Sequence, residues 1–101
     1  DNGKDSYAKP ELYRTQANLL RQAGVAENAE IEALYQQAIE LASNYNSSIF
    51  QLRAAIDLSI LWQKEGRNKE ARQLLSKVYS TFTEGFGNKD LQEAGVLLQN
   101  L

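Results

Sequence analysis

The side chains of this 101-residue chain that could do chemistry are carboxylates and bases, because it holds no histidine and no cysteine. That removes the usual zinc ligand sets and the nucleophile–base triads. Asp57 and Glu40 are the carboxylates that stand within strongly apolar stretches. Arg53 precedes Asp57 by four residues, so on a helix the two share a face and an intrahelical ion pair is expected. Glu30 and Glu32 point to different sides of a helix and make poor co-ligands. No acid stands at a defined spacing from a second acid or base, so no catalytic, metal-binding or cofactor-binding residue is predicted. The segment EGFGNKD, residues 84–90, has two glycines and a lysine where a helix begins, and free amides there can hold an anion. It lacks the long glycine-rich loop followed by lysine and serine or threonine. The expected role is a helix stop, an anchored Phe86 and a capped restart at Asn88. The sequence predicts no enzyme.

Helices must position whatever these residues do. Leu52, Ala55, Ile56, Ser59 and Trp62 recur at three- and four-residue steps, and Ala71, Leu74, Leu75 and Val78 begin a second stripe beyond Gly66. Two stripes so close together must fold back as an antiparallel hairpin. Five helices are predicted, at about 10–23, 28–43, 48–65, 68–83 and 89–100, with no strand. Pro10 suits a first helical position, since the amide it lacks would have had no partner there. Asn28, Ser47 or Ser48, Asn68 and Asn88 are the candidate caps, and Gly24 and Gly66 the terminators. Residues 1–9, DNGKDSYAK, read as a linker or frayed edge, with Tyr7 the residue expected to dock.

Composition narrows the function class. Eleven basic and thirteen acidic residues give a net charge of −2, without the polybasic footprint of a nucleic-acid binder. No apolar run is long enough for a membrane span and no signal segment is visible, so the expected compartment is the cytoplasm. The chain has no methionine, which leads to the expectation that Asp1 is a cut edge within a larger protein.

A repeat underlies the helices. Gly24 and Gly66 are 42 residues apart, and each is followed by a comparable apolar series: Ile31, Leu34, Tyr35 and Ala38 against Ala71, Leu74, Leu75 and Val78. Two helix-turn-helix units and a terminal helix would gain stability by stacking. The second unit resembles the tetratricopeptide pattern, with Trp62, Gly66, Ala71, Leu75 and Val78 at its places and Leu58 and Ser59 at the close-packing step. Val78 stands where that pattern prefers alanine. The first unit answers with Tyr13, Ala17, Leu20, Gly24, Tyr35 and Ala38, has a longer turn, and carries Gln16 at the usual leucine place. Phe82 and Phe86 complete the predicted structural set. What the resemblance implies is an all-α fold of tetratricopeptide-like hairpins in a right-handed superhelical stack.

The runs ELYRTQANLL, LRAAIDLSILWQKEGRNKEARQLLSKVYSTFTEGF and DLQEAGVLL are similar to the carboxyl-terminal tail of large bacterial signalling ATPases. In these a cyclase or regulatory domain and an ATPase module precede a tetratricopeptide-like array. Residues 11–101 carry the resemblance, VYSTFTEGF most specifically. Gly87 replaces the acidic residue common after the final phenylalanine, and Ala17 a common glycine. The resemblance implies a non-catalytic scaffold or sensing segment, with any catalytic domain upstream.

In such a stack the first helix of each unit lines a shared face. Glu11, Arg14, Asn18, Arg21 and Gln22 fall there from the first unit, and Arg53, Ile56, Ile60, Gln63 and Lys64 from the second. Four bases against one acid predict a protein or peptide partner, acidic or an upstream domain of the same chain, and neither nucleic acid nor membrane. Two alternatives stand beside this interaction surface. One is a purely structural cap that seals an array. The other is a small helical domain with a ligand pocket between its hairpins, against which the close-packing Ala, Leu and Tyr at the seam argue.

Overall fold

The structure, a computed structural model, describes the backbone of residues 3–85 and 87–101 and the side chains from Lys9 onward, Phe86 excepted. Five helices follow one another: α1 (Gly3–Ala23), α2 (Asn28–Asn44), α3 (Ser48–Lys64), α4 (Asn68–Tyr79) and α5 (Lys89–Asn100). No strand occurs among the described residues. The fold is all-α, as the apolar spacing predicts.

Each helix packs most extensively on the next, α1 on α2, α2 on α3 and α3 on α4. In addition α1 lies beside α3, and α5 beside both α3 and α4, whereas α2 and α4 do not touch. The arrangement is therefore two layers, with α1, α3 and α5 in one and α2 and α4 in the other. Its extents of 41 × 38 × 19 Å fit a slab two helices thick. The radius of gyration of 13.3 Å is close to the ~13 Å of a compact domain of this length. This corrects the expectation of a superhelical stack. Twist accumulates by a small rotation per repeat, and two hairpins with a closing helix form a flat, compact body as broad as it is long.

α3 is the centre, the one helix that touches the other four. Leu52, Ala54, Ala55, Ile56, Leu58, Ser59, Leu61 and Trp62 are all buried along it. Tyr35, Ile31, Ala38, Ala71, Leu75, Val78, Leu91 and Ala94 close around it from α2, α4 and α5. Ala71 and Ser59 let α3 and α4 approach, and the Ser59 hydroxyl donates to the Ala71 carbonyl at 3.4 Å. Phe82 packs half-buried against the core, and Tyr13 is also half-buried. Phe86 lies outside the described residues.

The turns explain where the helices end. Gly24 and Gly66 sit at φ +68° and +80°, left-handed conformations that a side chain disfavours. After α3, the Arg67 and Gly66 amides return to the Trp62 and Gln63 carbonyls at 2.8 and 3.1 Å, which closes the helix end. α4 stops at Tyr79, four residues before the predicted Thr83. There the Ser80 and Thr81 hydroxyls donate to the Lys77 and Val78 carbonyls, so side chains take over acceptors that a further turn would have used.

The amino end also differs from expectation. α1 begins at Gly3, so residues 3–9 are helical, and Pro10 lies within the helix with its ring buried. Proline removes one backbone donor from the helical ladder but has the φ that a helix requires. Capping is correct at Asn88, whose side chain accepts the Asp90 amide at 2.7 Å. Asn28 and Asn68 are instead first helical residues, behind Glu27 and Arg67, and Ser47 holds the cap position of α3 without a side-chain bond.

Trp62 is 6% exposed, yet its indole nitrogen has no hydrogen-bond partner among the described residues. Trp62→Ala is expected to cost about 3–5 kcal/mol in urea unfolding, through lost transfer energy and a cavity. Trp62→Phe should cost far less, because it also removes an unpaired donor whose burial is unfavourable by about 1–3 kcal/mol. Equal losses for the two variants would contradict this account of the seam.

Candidate functional site

The α1–α3–α5 layer carries the face on which the basic residues were expected, and carboxylates occupy it too. Arg14 donates from Nε and Nη2 to both Glu11 oxygens, at 2.8 and 3.0 Å, one turn away on α1. Its Nη1 reaches across to Asp57 Oδ2 on α3 at 2.9 Å. Asn18 Nδ2 donates to the same Asp57 oxygen at 3.1 Å, and the Tyr35 hydroxyl of α2 donates to Asn18 Oδ1. Arg53 joins the cluster at its other end, 3.5 Å from Glu11 and 3.1 Å from Asp90 at the start of α5, with its guanidinium over the Phe50 ring. One polar network thus runs through α1, α2, α3 and α5.

This arrangement replaces the intrahelical Arg53–Asp57 pair. Asp57 is spent on Arg14 and Asn18, and Arg53 on Glu11 and Asp90. The internal repeat holds the signal that would have found these partners. With Gly24 and Gly66 as equivalents, Glu11 falls level with Arg53, and Arg14 one residue out of register with Asp57. α1 and α3 lie side by side at that offset.

Electrostatics follow from these contacts. The Glu11 fork, reinforced by Asp57, holds the Arg14 guanidinium above its ordinary pKa despite the opposing effect of partial burial. Burial is the main cause that pushes the Tyr35 phenol up to about 12.

The rest of the predicted face divides. Ile56 is buried in the core and unavailable to a partner, and Ile60 is half-buried against it. Lys64 is exposed in the last turn of α3. Arg21 is half-buried, and its Nη1 is shielded from solvent with no hydrogen-bond partner among the described residues. Among the described residues Arg21 and Lys64 have no acidic partner.

A second cluster, which the sequence analysis missed, forms at the turn edge. Arg67, between α3 and α4, bonds Glu32 of α2 at 2.9 Å and Glu65 at 3.2 Å. It also forks onto Glu70, at 2.9 and 2.8 Å, and lies 4.7 Å over the Trp62 ring. Asn28 completes it by donating to Glu65 at 2.8 Å. The Arg67 hydrogen bond holds the Glu70 carboxyl below its ordinary range. Both clusters pair charge with charge. No group of three or more potential metal ligands is present among the described residues.

The network makes a pH-dependent prediction. Tyr35 has a phenol whose pKa is raised on folding, so its contribution to stability is complete below about pH 10. That contribution is lost as pH rises from about 10 to about 12. In an absorbance titration of the five tyrosines, one should ionise near pH 12, and Tyr35→Phe should remove that component. A Tyr35→Phe titration superimposable on wild type would contradict it.

No protein-family model, curated protein or solved structure matches this chain.

Proposed function

We propose that this chain is a non-catalytic interaction module of tetratricopeptide-like hairpins, serving as the scaffold or sensing part of a larger bacterial signalling regulator. The hairpin reading is supported by the order in which helices pack, each on the next and α1 beside α3. It is supported also by the glycine-closed turns 42 residues apart. The reading places the module's work in contact on the α1–α3 face, without turnover.

The observation that carries it is Arg21. Its side chain is half-buried with no acidic partner among the described residues, and a carboxylate brought by a partner would compensate its charge. Lys64 adds an unpaired charge on the neighbouring helix. Arg14 and Arg53 contribute less, because Glu11, Asp57 and Asp90 already neutralise them. An acidic peptide, or an acidic loop of an upstream domain, fits this reduced set through charge complementarity. The compartment of this reading is cytoplasmic; among the described residues no helix is long and apolar enough to cross a membrane.

The same pairing favours a second reading, the structural cap. Arg53 ties α5 to α3 through Asp90, which fastens a closing helix over the end of the body. The two readings part on mutation. Arg21→Glu with Lys64→Glu is expected to weaken binding of a glutamate-rich peptide at least tenfold in titration calorimetry, with the helical circular-dichroism signal unchanged. Arg14→Glu with Arg53→Glu should instead lower the melting temperature, by placing like charges against Glu11, Asp57 and Asp90. Wild-type binding should weaken as salt rises. No wild-type binding, or equal affinities for wild type and the Arg21/Lys64 variant, would leave the structural cap as the better account.

A further inference from the structure

The outer side of α1 is built unlike any other exposed helix surface of this protein. Leu12 and Leu19 are 63% and 62% exposed, two turns apart on one side of the helix. Thr15 and Gln16 lie exposed between them, and Gln22 and Ala23 beyond. This stripe carries no charge from Leu12 to Ala23. The exposed positions of α2 include Glu30 and Glu40, those of α4 Lys69, Arg72 and Lys77, and those of α5 Lys89 and Glu93. Depletion of charge around apolar residues characterises the centre of a protein interface, not solvated surface.

The internal repeat says what covers such a stripe. With Gly24 and Gly66 as equivalents, Leu12, Gln16 and Leu19 correspond to Ala54, Leu58 and Leu61 of α3. Those three are 0%, 0% and 3% exposed. α3 lies between hairpin elements on both sides, and α2, the second helix of the unit before it, packs extensively on it. α1 has the equivalent positions without that neighbour among the described residues.

We infer that the Leu12–Leu19 stripe of α1 is a docking surface for an amphipathic helix from another helical hairpin, seated on α1 as α2 is seated on α3. The occupant presents apolar and small residues at three- and four-residue steps and no charge at the contact. A second copy of the chain is the poorer occupant. Apart from Leu12 and Leu19, its exposed large apolar residues are the isolated Val25 and Val96 among the described residues. The α2 face that packs on α3 is already occupied within each copy. The inference does not depend on the cations of the basic face, Arg14 and Arg21, which stand at other positions of α1.

The probe is a stapled helical peptide with the sequence of residues 28–44, titrated into the isotope-labelled 101-residue chain and followed by NMR. Amide shifts should be largest at Leu12, Thr15, Gln16, Leu19 and Ala23. Leu12→Lys with Leu19→Lys should weaken binding at least tenfold while the melting temperature changes little, since both side chains are exposed. Sedimentation should show the wild-type chain as a monomer at the concentrations used. Absence of binding, or shifts confined to the Arg21–Lys64 face, would overturn the inference. Concentration-dependent dimerisation abolished by the double variant would overturn the assigned occupant in favour of a second copy.

Discussion

A helix that is apolar on nearly every side has to be surrounded, and α3 is such a helix. Leu52, Ala55, Ile56 and Trp62 bury one part of its circumference, and Ala54, Leu58 and Leu61 another. No single partner can cover both. The other four helices are arranged to meet this demand, α2 and α4 from one layer and α1 and α5 on either side. The small residues Ala54, Ala55 and Ser59 permit neighbours to come close, and the larger ones fill what remains. The slab shape follows from the same requirement, because two layers suffice to enclose one central rod.

Polar interactions then fix how the neighbours sit. Apolar contact alone is tolerant of sliding, whereas a carboxylate shared by Arg14 and Asn18 is satisfied at one register. Asp57 therefore sets the height of α1 against α3, and Tyr35, bonded to Asn18, extends that register to α2. Asp90 does the same for α5 through Arg53. The face that looks basic in sequence is largely self-compensated in three dimensions. Its cations without an acidic partner among the described residues are Arg21 and Lys64.

Helix existence was legible from apolar spacing, and the bounds of α2, α3 and α5 lie within a residue of those predicted. The misses have local causes. Turn-forming residues before Pro10 suggested a linker, but propensity is a weak prior and α1 extends through them. Serine and threonine after Tyr79 ended α4 through their own hydroxyls, which a stripe of apolar residues does not report. Pairing was the harder part. Arg53 and Asp57 satisfy a rule for isolated helices, yet side-by-side packing of α1 and α3 offered Asp57 a better partner. The 42-residue repeat contained that information, since it places Glu11 level with Arg53. The Arg67 cluster depended on how near α2 comes to the α3–α4 turn, which no residue spacing reveals.

Arg67 has a consequence for how the protein bends. It stands in the loop of the second hairpin, grips Glu32 of the first, and rests on the indole that lines the seam. The dihedral between the two hairpins is thus governed at the rim by an ionic clasp and in the interior by close packing. These two restraints have different sensitivities, since an ionic contact near the surface is screened by electrolyte and buried packing is not. The clasp is accordingly the salt-sensitive restraint of the two. Rising ionic strength would loosen the rim contact and leave the packing of the seam in place.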